Sequence, residues 1–130
     1  MKVYKVVFLY NEEEGMYRSA IIADEEFDLL YKVGEPTHPP MSFPKAKLFA
    51  FRELDDAKKF LGGLSSNLRT IFLAEAKPAR NHRRFIPCHI VNRTVKRYWN
   101  NDHFNFLDVT PIPEGTILCD EITLLEKVTL

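Results

Sequence analysis

No apolar run in these 130 residues approaches the roughly 20 that a bilayer-spanning helix needs. The apolar stretch at residues 3–10 is interrupted by Lys5. It is followed by Asn11-Glu12-Glu13-Glu14, where a secretory signal would place small residues. The sequence therefore reads as intracellular and cytoplasmic, with no membrane partner. Cysteine is scarce. Cys88 and Cys119 are the only two, which excludes a disulfide-dense scaffold and reads as two reduced, largely buried thiols. Net charge is absent, because 18 Lys and Arg balance 18 Asp and Glu. A dedicated nucleic-acid binder is usually strongly basic, so that class loses ground. GxSxG, P-loop and GxGxxG patterns are all missing, which removes the ordinary signatures of hydrolases, NTPases and dinucleotide enzymes. There is no internal repeat and no low-complexity tract.

What is present belongs to a folded domain. Hydrophobic residues make up 45% and charged residues 28%, an ordinary globular balance. The length fits one domain over residues 1–130 with a core of its own. Val, Tyr and Phe dominate residues 3–10, which predicts a strand. The polar break at 11–15 ends in Gly15, and residues 16–23 resume strand character, so the pair predicts a hairpin. A short strand at 29–33 stops at Gly34. Residues 34–45 hold Pro36, Pro39, Pro40 and Pro44 and predict a surface loop, since proline can build neither a helix interior nor a central strand.

Residues 47–51 predict a compact strand, and the segment 52–63 a helix over about 54–61. Leu54, Ala57, Phe60 and Leu61 recur on one helical face, acids precede lysines, and Gly62-Gly63 ends the segment. Residues 70–76, 85–91, 117–119 and 122–128 complete the strand candidates, and Asn92 can cap a short helix through Trp99. The expected fold class is α+β: a mostly antiparallel, twisted sheet of about five to seven strands with one or two short helices. The expected core includes Val6, Phe8, Ile21, Leu30, Phe49, Phe51, Ala57, Phe60, Ile71, Leu73, Ile117, Ile122 and Leu124.

Three blocks, residues 31–35, 48–61 and 113–120, follow one another in an order that resembles a loose group of small α+β proteins of phage and bacterial type. The resemblance spans most of the chain. It implies an α+β fold, and since the group has no established activity it implies no site residue. A strand followed by a helix of this kind, after the Tyr31 strand, is also similar to the ADP-ribosyltransferase fold. That resemblance implies an enzyme as an alternative, although the Ser-Thr-Ser strand and catalytic Glu of that family have no counterpart here.

The neutral total hides a polarised chain. Residues 76–101 hold Lys77, Arg80, Arg83, Arg84, Arg93, Lys96 and Arg97 without a single Asp or Glu, while residues 1–35 and 102–130 are acidic. On a helix Arg93 and Arg97 project together. Phe85, Tyr98 and Trp99 stand near enough in sequence to stack on bases. This segment is the candidate anion- or partner-binding site, for a nucleic acid or an acidic protein surface. Its bland alternative is pairing with the acidic ends of the same fold.

His82, Cys88, His89, His103 and Cys119 are metal-type side chains, but CxxC and HxxxH spacings are missing and no metal or other cofactor is implied. Asp55-Asp56 reads as a first-turn helix feature. An enzyme would need Tyr31, His89 or His103 to converge with a carboxylate. The leading expectation is a non-enzymatic accessory or interaction protein that uses residues 77–97. A homo-oligomer burying surplus aromatics is a further alternative.

Overall fold

The computed structural model describes residues 1–19, 29–41, 46–63, 68–80, 85–87, 99 and 109–129. Extended, β-branched and aromatic segments form nine strands among them: β1 (Lys2–Asn11), β2 (Met16–Ser19), β3 (Leu30–Lys32), β4 (Pro36–Thr37), β5 (Leu48–Phe51), β6 (Arg69–Pro78), β7 (Phe85–Pro87), β8 (Val109–Pro111) and β9 (Thr116–Lys127). One helix, α1 (Leu54–Gly62), follows β5. Every strand pairing is antiparallel. The mostly antiparallel sheet and the helix agree with the α+β expectation.

The sheet does more than twist. β1 pairs with β6, β6 with β9, β9 with β5, and β5 returns to β1 through Tyr4 opposite Phe51, so four strands close into a barrel. Closure was not expected from the sequence. It follows from β1 and β9 each dividing one edge between two partners. β1 offers Tyr4 to β5 and Val7 onward to β2, and β9 offers Thr116–Cys119 to β5 and Ile122–Thr123 to β4. β2 and β3 then extend the sheet beyond the ring. The proline-rich stretch contributes β4 at a sheet edge, the place where a strand tolerates proline.

The two predicted C-terminal strands are one strand. Opposite β6, Lys77 faces Glu121 and Pro78 faces Cys119, which leaves Asp120 as an extra residue in a bulge. The bulge resets the alternation, so Cys119 and Ile122 both enter the interior cluster with Val3, Val7, Leu48, Ala50, Phe72, Ala74 and Leu124. The outer face of the barrel is covered as well. Leu54, Ala57, Phe60 and Leu61 of α1 pack on Val6, Phe51 and Ile71, the helical face read from the sequence. Burial on both faces explains why Val3 and Val7 belong to the core as fully as Val6. Phe8, Phe49, Phe60, Leu73 and Ile117 are half-buried, and Leu30 is exposed, because β3 turns it away from the interior that Tyr31 fills. Ile21 lies outside the described residues.

The turn into β9 locks α1 to the barrel. Gly115 adopts φ of +79°, a conformation that favours glycine, and a Cβ there would overlap the Asp56 carboxylate and come within 2.9 Å of the Asp56 Cβ. Gly115→Ala is expected to destabilise the fold by about 1–3 kcal/mol in urea unfolding. Adding Asp56→Ala should relieve the overlap with the carboxylate and leave the close Cβ contact and the backbone strain.

Candidate functional site

Of the seven cations of the basic segment, Lys77 and Arg80 lie among the described residues, and both are exposed. Arg83, Arg84, Arg93, Lys96 and Arg97 lie outside them, as do His82, Cys88, His89, His103 and the helix expected before Trp99. Lys77 Nζ stands 3.4 Å from Glu121 Oε2, and His38 Nε2 lies 2.7 Å from the other oxygen of that carboxylate. The His38 hydrogen bond, with Lys77 adding to it, holds the Glu121 carboxyl below the usual carboxylate range. Lys47 donates to Asp120 at 2.7 Å. Internal pairing with the acidic C-terminal region therefore occurs at Lys77.

Both ends of the segment are fixed to one wall of the barrel. At its start, the Ala79 N–H donates to the Leu118 carbonyl at 2.8 Å. At its far end, Trp99 has helical backbone and is buried with Ala46 and Leu118, and Phe49, Ala79 and Ile112 pack around them. The Trp99 ring stands 5.8 Å from the Phe49 ring in a tilted arrangement. This corrects one sequence expectation. A buried indole cannot stack on a base, so Trp99 anchors the segment and does not contact a ligand face. The local reason is the alternation of β5, which points Phe49 outward beside Leu118 of β9 and leaves an apolar wall for the indole to cover.

The second polar feature lies inside the barrel. Lys5 follows Val3 and precedes Val7 on the inward face of β1, and it is 7% exposed. Its Nζ donates to the Phe49 carbonyl at 2.6 Å and stands 5.2 Å from the centre of the Tyr31 ring. The strand geometry accounts for this bond. β1 and β5 pair only at Tyr4 and Phe51, so the Phe49 carbonyl receives a side-chain donor across the opening seam. Tyr31 is 1% exposed and Cys119 is fully buried.

Burial lowers the Lys5 amine to about 8, with Cys119 working in the opposite direction. Burial raises the Tyr31 hydroxyl well above the usual phenol range. Burial also pushes the Cys119 thiol up to about 11, against the pull of Lys5. At neutral pH the thiol is protonated and therefore a poor nucleophile, and it is free of any disulfide. Among the described residues, Tyr31 thus meets an ammonium and a thiol and no carboxylate.

Sequence reasoning missed Lys5 as a site residue. Lys5 shares its parity with Val3, Val7 and Leu9, but both faces of β1 are buried, so that parity does not by itself mark an inward position. Among the described residues no group of three or more His, Cys, Asp or Glu could hold a metal ion. An open groove lined by Thr70, Lys127, Val128 and Thr129 brings no titratable pair together. No helix among the described residues is long and apolar enough to cross a membrane.

Among the described residues these features define a small antiparallel barrel with Ala79 and Trp99 against one wall and a polar centre. The chain matches no family model, no curated protein and no solved structure.

Proposed function

We propose that the protein is a small binding module that holds an anionic partner through residues 77–97. The observation that supports this reading is the anchoring of the segment at Ala79 and Trp99 on the same wall. A run of cations tied at both ends to a rigid barrel loses less conformational entropy on binding than a free tail does. Trp99 is buried, so recognition rests on charge and not on its stacking against bases. The described barrel adds no acid–base constellation that would favour catalysis over binding.

The test is charge reversal away from the anchors. Arg93→Glu with Arg97→Glu is expected to weaken binding to immobilised heparin and to a polyglutamate peptide by at least roughly tenfold, since two lost charge-assisted contacts are each worth about 1 kcal/mol or more. Wild-type affinity should fall steeply as salt rises. The melting temperature and the Trp99 emission should stay at wild-type values. Loss of folding in the double variant would instead assign these arginines to internal pairing.

A further inference from the structure

We propose that the polar centre of the barrel, Lys5 with Tyr31, is a binding site for a small monovalent anion. This site is separate from the basic segment and does not rest on the function proposed for it. The Lys5 ammonium carries three N–H donors, and one of them reaches the Phe49 carbonyl. The Tyr31 hydroxyl is buried and takes no hydrogen bond among the described residues. Buried donors of this kind are normally satisfied, and a buried ammonium also calls for a compensating negative charge.

Among the described residues, the groups around Lys5 supply none. β3 contributes Tyr31, β9 contributes Cys119, and β2 contributes Tyr17 to the interior, all neutral near pH 7. The inward residues of β5 and β6 in that cluster, Leu48, Ala50, Phe72, Ala74 and Ala76, carry no charge. Asp120, next to Cys119, is paired with Lys47 outside. Tyr17, Tyr31, Leu48, Phe72 and Leu124 fill the interior around this centre, so the class of ligand is an ion of one to a few atoms, a halide or a formate-sized carboxylate.

The polar centre lies beside two stretches of unpaired strand edge. On the edge of β1 between Tyr4 and Val7, and on the edge of β9 between Cys119 and Ile122, no described strand closes the wall. Lys5 and Cys119 border these two unpaired edges, and both side chains are buried.

The experiment is a set of thermal melts at constant ionic strength in which sodium gluconate is replaced by chloride, bromide or formate. At about pH 6.5, where Lys5 is charged, the wild-type melting temperature should rise and saturate with at least one of the three small anions. At about pH 9.5 the rise should shrink, because the amine is then mostly neutral. Lys5→Met should abolish the anion effect, and Tyr31→Phe, which keeps the ring, should raise the half-saturating concentration several-fold. A crystal soaked in bromide should show an anomalous peak within hydrogen-bond reach of Lys5 Nζ. Identical melts in gluconate and in all three small anions would overturn the proposal. An equal rise in Lys5→Met would reduce it to a general salt effect, and an unchanged midpoint in Tyr31→Phe would remove the tyrosine from the site. Should Lys5→Met fail to fold, Tyr31→Phe and the bromide crystal still decide the question.

Discussion

Exchanging Lys5 for Glu is expected to destabilise the barrel by about 3–5 kcal/mol, while exchange for Met should leave its stability near neutral pH close to wild type. The contrast follows from what the side chain touches. Lys5 donates to the Phe49 carbonyl from inside the wall. A glutamate would set an acceptor against that carbonyl and leave a buried negative charge without a partner. Methionine keeps a long unbranched stem and removes the charge. It also leaves the Phe49 carbonyl without its donor, a loss of about 1–3 kcal/mol. Against that loss stands the relief of a buried ammonium, which the depressed pKa near 8 values at roughly 3 kcal/mol. The two terms are similar in size and opposite in sign.

The pH dependence separates the variants more sharply than any single stability value. The folded protein releases the Lys5 proton near pH 8, whereas the unfolded chain keeps it to about 10.5. Between these values the unfolded state binds more protons, so stability rises with pH. From pH 7 to pH 9 the rise is expected to be about 1 kcal/mol. It then reverses. The buried Cys119 thiol keeps its proton to about 11 and the unfolded thiol loses it near 9, so this group favours unfolding as pH passes through that window. Tyr31 adds to the loss above pH 10. Urea titrations of wild type should therefore show a maximum near pH 9, and Lys5→Met should decline from about pH 8.5 without one. A wild-type curve that falls steadily from pH 7 would contradict the buried position of the amine.

Lys5 and Leu30 also show where sequence reading stops. Alternation marks an inward face only when the outward face is wet. On β1 one face fills the barrel and the other lies under α1, so Val3, Val6 and Val7 are all buried and no polar residue marks the register. The lysine that occupies an inward position looks like an interruption, and the leucine that faces solvent looks like core. Helix α1 was legible because its evidence is local: four apolar residues on one face, acids early, glycines at the end. The hairpin of β1 and β2 was legible for the same reason, with Gly15 closing its loop at a φ of +67°.

Closure of the barrel and the single long β9 were not legible. Both depend on which distant strands share an edge. The Asp120 bulge exists because β6 and β9 pair over most of their length on one side while β5 and β4 divide the other. No pattern within residues 116–127 announces that division. It also brings Tyr31 and Cys119, 88 positions apart (119 minus 31), into one interior with Lys5. The composition of the basic segment was plain, but the contacts of Ala79 and Trp99 with the wall were not. Trp99 resembles a ligand-facing aromatic until β5 and β9 are seen to leave an apolar surface beneath it.

Trp99→Ala is accordingly expected to produce the largest loss among truncations of the described wall, about 3–5 kcal/mol. The indole is 4% exposed and seals Ala46 and Leu118, and its removal opens a cavity beside Phe49 that short neighbours cannot refill. Trp99→Phe keeps an aromatic ring against Phe49 and should lose only about 1–2 kcal/mol. The chain has a single tryptophan, so its emission reports this contact without labelling. Wild-type emission should be blue-shifted in the native protein and move red as urea unfolds the wall. If the segment works as an anchored binding surface, Trp99→Phe should bind heparin and polyglutamate almost as wild type does. Trp99→Ala should bind more weakly even at temperatures where circular dichroism shows the barrel still folded, because its cations are then held at one end only. Equal binding by folded Trp99→Ala and wild type would mean that anchoring contributes nothing to recognition, and the cations would act as a free chain.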